Sequence, residues 1–279
     1  MSAKKVLFIT QEITPYVPES ELSLRGHDLP QSIQDRGYEI RTFMPKWGNI
    51  NERRNQLHEV IRLSGMNLII DDTDHPLIIK VASIQAARRQ VYFIDNDDFF
   101  QHRLMTADEE GREYEDNGER AIFYARGVLE TVKKLRWCPD LIHCQGWMGS
   151  IVPIYIKKCY HDEPSFRNTK VVISVDDQGF KSSLSENFPR QVLFKGVKPA
   201  DVKMMEKPYT YSELCKLAIA YSDGVVQSSE TVDPAILEYA HQQNVPVMGF
   251  QPADKYAEAC DAFYQQILEK EAPAKAAKK

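Results

Sequence analysis

The chain has 279 residues, of which 43% are hydrophobic and 27% are charged, and its formal net charge is -5. This composition excludes an intrinsically disordered chain and is sufficient for a large buried core. The negative balance gives no global attraction to nucleic acid or to an anionic membrane, because such binding normally shows as a basic face.

The cysteines and the N-terminal residues indicate the compartment. The five cysteines are an odd number without a CxxC pair, so neither a disulfide framework nor a zinc knuckle is indicated. The N-terminal stretch MSAKKVLFIT has too few apolar residues for a signal peptide or a membrane span. We therefore expect a cytoplasmic protein with reduced, mostly buried thiols.

The first 44 residues have the pattern of a βαβ unit. Lys5 to Thr10 is a short apolar run, typical of a strand that is covered on both faces. Leu22 to Arg36 has apolar residues at helical spacing, and Tyr38 to Met44 is a second predicted strand. Two strands joined by a helix imply a parallel sheet with a right-handed crossover.

Short alternating apolar runs follow over residues 57–95 and predict an antiparallel β meander. This meander is either inserted into the sheet or added to its edge. The acidic stretch DDTD at residues 71–74 offers oxygen ligands to a divalent cation, but it lacks EF-hand spacing. A polar turn between two strands is the simpler interpretation.

Helices and strands then alternate to the C-terminal region. The predicted helices cover residues 116–135, 147–158, 212–221, 233–243 and 253–268, and the predicted strands cover 140–144, 170–175, 224–227 and 245–249. This order predicts an α/β fold with one doubly wound, mostly parallel, Rossmann-like sheet. We expect a single domain over residues 1–269 and a disordered tail over 270–279, where KEAPAKAAKK has no apolar stripe.

Two further polar stretches have open interpretations. Residues 96–98 (NDD) are expected to cap a short helix that starts near Phe99, with a binding role as the alternative. The stretch FKGVKPADVKMMEKP is expected to be a solvated loop, with a site for an anionic group or a partner as the alternative. It contains four lysines: Lys195, Lys198, Lys203 and Lys207.

The end of the predicted strand DLIHC is a candidate ligand site. Open α/β sheets bind ligands at the carboxyl ends of their strands, and His143, Gln145 and Trp147 lie there. His143 is a candidate ligand-binding group, with a structural histidine as the alternative. Trp147 offers a flat face on which a sugar stacks, with a simple space-filling role as the alternative.

Several stretches together resemble the N-terminal domain of bacterial glycogen and starch synthases. The match covers roughly Lys4 to Leu237, and the stretches occur in the family's order and approximate spacing: KKVLFITQEITPYV, LPQSIQDRGYEIRTFMPKWGNI, VYFIDNDDFF, WCPDLIHCQGWMGSIVPIYIK, KVVISV and LCKLAIAYSDGVVQSSET. The resemblance implies one half of a GT-B glycosyltransferase fold. It also implies the family reaction, which moves glucose from ADP-glucose to the non-reducing end of an α-1,4-glucan with retention of configuration.

In this family the N-terminal domain holds the acceptor, and the C-terminal domain supplies most of the nucleotide-sugar site. The resemblance places the family's Lys-Thr-Gly-Gly-Leu loop on residues 18–22, which read PESEL. The phosphate-neutralising lysine is therefore replaced by Pro18, and the two glycines are replaced by Ser20 and Glu21. Carboxylates beside a pyrophosphate repel it.

Two other family motifs also differ. The family's His-Asp-Trp falls on Gln145-Gly146-Trp147, and its His-Asn pair after KVVISV falls on Asp176-Asp177. A carboxylate accepts hydrogen bonds from sugar hydroxyls, but it does not reproduce the donor role of a neutral imidazole. The residue analysis and the resemblance together give a candidate ligand cleft of eight residues: Glu12, Glu19, Glu21, His143, Gln145, Trp147, Asp176 and Asp177.

Catalysis by this chain alone is not expected. The family's C-terminal domain lies outside the match, and the 279 residues contain neither GxGxxG nor GxxxxGK[ST]. We expect no cofactor, no bound metal and no catalytic residues of the family type. Two hypotheses follow: a glucosyltransferase polypeptide that needs another chain for its donor-binding half, or a non-catalytic regulatory module. The module would bind a glucan, another small ligand or a protein partner.

The first prediction concerns self-association. A domain of this family without its C-terminal partner is expected to expose an apolar face, which a second copy or a partner chain covers. We therefore expect light scattering at micromolar concentration to give a mass above that of one chain. A strictly monomeric protein under these conditions would contradict the expectation of a homo-oligomer.

Overall fold

The computed structural model describes residues 3–84, 87 and 89–269. Within these residues there are ten strands: β1 (Lys5–Thr10), β2 (Glu39–Pro45), β3 (His58–Glu59), β4 (Met66–Ile70), β5 (Thr73–Ile84), β6 (Arg89–Asp95), β7 (Leu141–Gln145), β8 (Lys170–Val175), β9 (Gly224–Gln227) and β10 (Val247–Met248). There are eight α-helices: α1 (Glu21–Asp35), α2 (Asn117–Lys134), α3 (Val152–Lys158), α4 (Phe188–Gln191), α5 (Pro199–Val202), α6 (Tyr211–Ala220), α7 (Pro234–Gln242) and α8 (Ala253–Glu269). The predicted tail over residues 270–279 lies outside the described residues.

The ten strands form one sheet with a largely parallel centre. Its strand order is β10-β9-β8-β7-β1-β2-β6-β5-β3, and β4 pairs with β5 beside this path. The strands from β10 to β6 pair in parallel, whereas β5 pairs antiparallel with β6, β3 and β4. The predicted α/β class with a mostly parallel, Rossmann-like sheet is confirmed, while the single-domain expectation for residues 1–269 stays a prediction.

The antiparallel meander lies at one edge of the sheet, but it is shorter than predicted. β6 belongs to the parallel part, because it pairs with β2 through Thr42–Val91 and Phe43–Tyr92. The predicted strand at residues 57–63 is reduced to the two residues of β3. The acidic stretch 71–74 includes the turn between β4 and β5, and no group of metal-ligating side chains occurs among the described residues.

Two helix predictions are corrected. The predicted helix 147–158 is a short 3-10 helix, Trp147–Gly149, followed by α3, because Pro153 lacks an amide donor and occupies the first turn of a new helix. The short helix near Phe99 is a turn. The Asn96 side chain accepts the amides of Asp98 and Phe99 at 2.9 and 3.1 Å, and His102 ends the turn with φ of 58°.

Helices cover both faces of the sheet. Residues such as Leu7 and Ile9 of β1 face a large core to which α2, α3 and α6 contribute. Val6 and Phe8 face a smaller core formed with α1 and α8. Because β1 is buried on both faces, its polar residues are confined to its two ends, Lys5 and Thr10, and to the loop that follows.

Arg120 of α2 fixes the irregular segment between β6 and α2. Its side chain is fully buried, and it donates to the carbonyl oxygens of Phe99 (2.9 Å), Leu104 (2.7 Å) and Met105 (2.7 Å). It also donates to the side-chain oxygen of Asn117 at 2.8 Å. The guanidinium thus gives the buried carbonyl groups of this segment the partners that a helix or strand would otherwise supply.

We expect Arg120→Ala to lower the free energy of unfolding by about 3 kcal/mol or more, because each buried carbonyl that loses its donor costs ~1–3 kcal/mol. The measurement is denaturant unfolding monitored by circular dichroism. Arg112→Ala is the matched control, since the Arg112 side chain is 76% exposed, and we expect it to change stability by less than about 1 kcal/mol. Equal effects of the two substitutions would contradict the anchoring role.

Candidate functional site

The carboxyl ends of the central strands bring most of the predicted site residues to one edge. β1 ends before Gln11-Glu12, β7 ends before Gly146-Trp147 and β8 ends before Asp176-Asp177. The three strands are parallel, and β1 pairs with β7 and β7 with β8. Polar loops that follow neighbouring parallel strands meet at the same edge, which is where open α/β sheets bind ligands. We call this group the carboxyl edge.

Glu12 lies in the first loop and is held in place on several sides. The residue is buried. Its Oε2 accepts a hydrogen bond from the Ser20 hydroxyl at 2.7 Å, and its Oε1 accepts one from the side-chain amide of Gln11 at 3.3 Å. Gly26 lets α1 approach this loop, because a Cβ on Gly26 would lie 2.1 Å from the Glu12 carbonyl oxygen. The Glu12 carboxylate is therefore a fixed negative charge next to the start of α1.

The N-terminus of α1 carries a side-chain cap formed by its own residues. The Ser20 hydroxyl accepts the Ser23 amide at 3.0 Å, and the Ser23 hydroxyl accepts the Ser20 amide at 2.8 Å, which is a reciprocal cap. Glu19 and Glu21 are exposed beside this cap, and Glu21 pairs with Arg25 at 3.3 Å. One amide that would attract an anion to this helix N-terminus is thus bound by a hydroxyl of the chain, and nearby carboxylates match the field of the helix.

Gln145 and Trp147 are both 1% exposed at the end of β7. Gly146 between them has φ of 82°, and a Cβ there would lie 2.7 Å from the Gln11 Cβ. The Trp147 ring packs edge-on against Phe180 at 5.3 Å, so it has no open face for a sugar. Gln145 Oε1 and Trp147 Nε1 have no hydrogen-bond partner among the described residues.

Asp176 is the most perturbed acid of the carboxyl edge. It is 3% exposed, and its Oδ1 accepts the Gln178 amide (2.8 Å) and the Tyr211 hydroxyl (3.3 Å). Its Oδ2 is buried without a partner within the described part of the chain. Burial raises the pKa of Asp176 to about 6, and the nearby Asp177 and Glu12 carboxylates raise it as well, against the lowering effect of the two hydrogen bonds.

Asp177 has the opposite environment from its neighbour. It is exposed, and it accepts hydrogen bonds from the Thr231 hydroxyl, the Gln178 side chain (2.9 Å) and the Ser229 hydroxyl (3.0 Å). These bonds, with that from Thr231 the largest effect, hold the pKa of Asp177 below its usual value. The two adjacent carboxyl groups therefore differ in mildly acidic solution, where Asp176 gains a proton and Asp177 keeps its charge.

His143 lies away from the carboxyl edge. Its ring is fully buried under α8, where Nδ1 contacts the Tyr264 hydroxyl and Nε2 contacts the Ser174 hydroxyl at 2.8 Å. Burial lowers the pKa of His143 to about 3, so the imidazole is neutral at physiological pH. Both ring nitrogens have partners, which is the arrangement of a structural histidine.

Some residues of the carboxyl edge are absent from the sequence prediction. Ser229 and Thr231 follow β9, so the rule that drew attention to the ends of β7 and β8 also identifies them. Ser20 has the pattern of a helix cap. Phe180 contacts Trp147, and Tyr211 contacts Asp176. These are tertiary contacts, so no local sequence pattern predicts them.

Comparisons with known proteins agree on the class of the fold. The structure superposes with a TM-score of 0.72 on the catalytic domain of starch synthase IV from Arabidopsis thaliana bound to ADP and acarbose, at 16% identity, covering 91% of this chain and 53% of that chain. The fold is thus one half of a GT-B glycosyltransferase. Residues 5–246 match the family model of the starch synthase catalytic domain. The chain belongs to this family of glycogen and starch synthases.

Curated relatives show how much of a full-length synthase this chain represents. It is 30% identical to the glycogen synthase of Chlorobaculum parvum over 266 residues, which are 95% of this chain and 52% of the relative. It is 36% identical to that of Chlorobium luteolum over 172 residues, 61% of this chain and 35% of the relative. The chain therefore spans about half the length of these relatives or less.

Each described helix is too short or too polar to span a membrane.

We expect Asp176→Asn to raise the free energy of unfolding by about 1 to 3 kcal/mol at neutral pH, since one pKa unit is about 1.4 kcal/mol. The folded pKa of about 6 lies above the ordinary 3.8, so wild-type stability from this group is present below about pH 4 and is lost as the pH rises through 6. The advantage of the variant should therefore vanish in acid. Denaturant unfolding between about pH 4 and 7.5 measures it, and a pH-independent difference would contradict the assignment.

Proposed function

We propose that this chain is a glycogen/starch synthase-like glycosyltransferase domain that binds an α-glucan at its carboxyl edge and does not transfer glucose by itself. The family reaction would be glucosyl transfer from ADP-glucose to an α-1,4-glucan. The observation that carries the proposal is the acidic, self-capped N-terminus of α1, where the resemblance puts the family's phosphate-binding loop.

The geometry of this loop opposes a nucleotide diphosphate. A helix N-terminus binds phosphate through free backbone amides and glycines that allow a close approach. Here the Ser23 amide is bound by the Ser20 hydroxyl. The Glu12 carboxylate accepts a hydrogen bond from the same hydroxyl, and Glu19 and Glu21 flank Ser20 in the sequence. None of the hydrogen bonds or ion pairs of Glu12 in the described structure involves a lysine or arginine. A pyrophosphate there would meet the repulsion of these carboxylates, of which Glu21 alone has an ion pair, with Arg25, in the described structure.

The same edge suits a neutral ligand with many hydroxyl groups. Asp176 Oδ2 and Gln145 Oε1 are buried acceptors without partners, and Trp147 Nε1 is a buried donor without one, within the described residues, so a ligand reaches them only where the loops that cover them open. Sugar hydroxyls donate and accept hydrogen bonds, so they satisfy both kinds of group. The Arabidopsis starch synthase IV structure contains ADP and the sugar-like ligand acarbose, and we propose only a saccharide for this chain.

A non-catalytic regulatory role in the cytoplasm is the second candidate function. The same acidic loop favours this role, because it opposes the donor nucleotide. A domain that binds glucan without a donor nucleotide acts by binding alone. The two candidates differ in whether another polypeptide restores glucosyl transfer. Radiolabelled transfer from ADP-glucose to glycogen, measured with the chain alone and with added synthase C-terminal domain, separates them.

We expect calorimetric titration of the wild-type chain to show saturable binding of maltooligosaccharides and no binding of ADP or ADP-glucose. Asp176→Asn should weaken glucan binding by roughly tenfold, because a hydrogen bond to a charged group is worth about 1.5–3 kcal/mol. Asp35→Asn is the matched control: Asp35 is an exposed carboxylate at the far end of α1, and the substitution should leave binding unchanged.

A gain-of-function variant tests the loop directly. Pro18→Lys, Glu19→Thr, Ser20→Gly and Glu21→Gly together install the family's loop, and the combined variant should acquire measurable affinity for ADP, because it removes two carboxylates and adds a cation. Tight binding of ADP-glucose by the wild-type chain would refute the proposal. An absence of maltooligosaccharide binding would refute the glucan assignment.

A further inference from the structure

A cavity with unsatisfied polar groups lies beside α2, away from the carboxyl edge. Its volume is about 510 Å³, and its walls come from the β4–β5 hairpin, from α2 and from the segment that includes α4 and the residues after it. The residues that matter are Arg126, Arg190, Gln191 and Phe194, with Asp71 and Asp72 at the hairpin. The segment continues into Lys195, the first lysine of the basic stretch noted in the sequence.

Arg126 places a buried positive charge in the wall of this cavity. The residue is 6% exposed, and its guanidinium lies over the Phe194 ring, with Cζ 3.8 Å from the ring centroid. Nη1 donates to the carbonyl oxygen of Ile69, while Nε is buried without a partner within the described residues. No described carboxylate forms an ion pair with Arg126. Buried charges are normally paired, because their desolvation is costly.

Lys195 adds a second cation to the same ring. Its Nζ lies 5.2 Å from the Phe194 centroid, and no described carboxylate pairs with it. Two like charges on one aromatic ring repel each other unless an anion lies near both. Arg190 differs from both, because it already pairs with Asp71 at 2.9 Å.

An unsatisfied acceptor faces the same cavity. Gln191 donates through Nε2 to Glu119 at 2.8 Å, and its Oε1 is buried with no partner among the residues described. This oxygen is suited to a hydroxyl or amide donor and not to an anion. The cavity wall therefore contains one buried cation without a carboxylate partner, Arg126, and one unsatisfied neutral acceptor, Gln191 Oε1, and the exposed Lys195 lies next to this wall over the Phe194 ring.

We propose that this cavity binds a small oxyanion, a carboxylate or a phosphate, with Arg126 and Lys195 supplying the charge. A guanidinium stacked on an aromatic ring keeps its edge free for two parallel hydrogen bonds to such a group. Gln191 Oε1 accepts a hydrogen bond from a hydroxyl of the same ligand. Asp71 and Asp72 lie at the hairpin wall and disfavour a large polyanion, so the ligand is a small molecule. This site is independent of glucan binding at the carboxyl edge.

Calorimetry and thermal unfolding of the full chain at low ionic strength test the proposal, with inorganic phosphate in one arm and malonate in the other. We expect saturable binding and a raised Tm in at least one arm, and the stronger arm identifies the anion. Arg126→Met keeps an unbranched side chain against Phe194 and should weaken binding by roughly tenfold or more. Lys195→Ala should weaken binding as well, and it keeps the test valid if the buried substitution impairs folding.

Lys203→Ala is the matched control, because Lys203 is an exposed lysine of the same basic stretch that, unlike Lys195, does not lie over the Phe194 ring. It should bind the anion like the wild-type chain. The proposal is overturned if neither anion binds saturably to the wild-type chain. It is also overturned if Lys195→Ala and a folded Arg126→Met bind the anion with wild-type affinity, since that result would place the anion elsewhere.

Discussion

The parallel pairing of β1 with β2 on one side and β7 on the other is the constraint on which the rest of the structure depends. β1 is apolar on both faces, so it is stable only at the centre of the sheet, under helices on both sides. In this position its end is in register with the end of β7, where Thr10 pairs with Gln145 and the Gln11 amide donates to the Gln145 carbonyl. The polar loops of separate parts of the chain are thereby brought to one edge.

The start of α1 shows how a helix N-terminus functions without a ligand. Its field favours negative charge, and in the resembling family this charge would come from a phosphate. In this chain Glu12, Glu19 and Glu21 lie close to this N-terminus, and the Ser20 hydroxyl binds the Ser23 amide. The residues that stand here in place of the family's loop therefore also stabilise the helix that follows it.

The sequence pattern predicted those features that local burial determines. β1, β7 and β8 are short apolar runs, and their ends could be located because polar residues follow at once. The parallel pairing of β6 could not be predicted, because register depends on contacts with β2 that lie far away in sequence. The orientation of His143 was equally hidden, since its partner Tyr264 is on α8, 121 residues later. Unpaired atoms such as Asp176 Oδ2 are visible only in three dimensions.

Buried polar side chains in this structure fall into two groups, those whose polar atoms have partners and those that keep an atom without one. Arg120 and His143 have partners for their donors and acceptors, so removing them should cost stability and nothing else. Asp176 and Arg126 keep polar atoms without partners in the described residues, so they lower stability as the chain stands. The ligands that we propose for both sites would offset this cost by completing their hydrogen bonds. Arg120 and Arg126 make the contrast on one helix, six residues apart, with the same side chain in both positions.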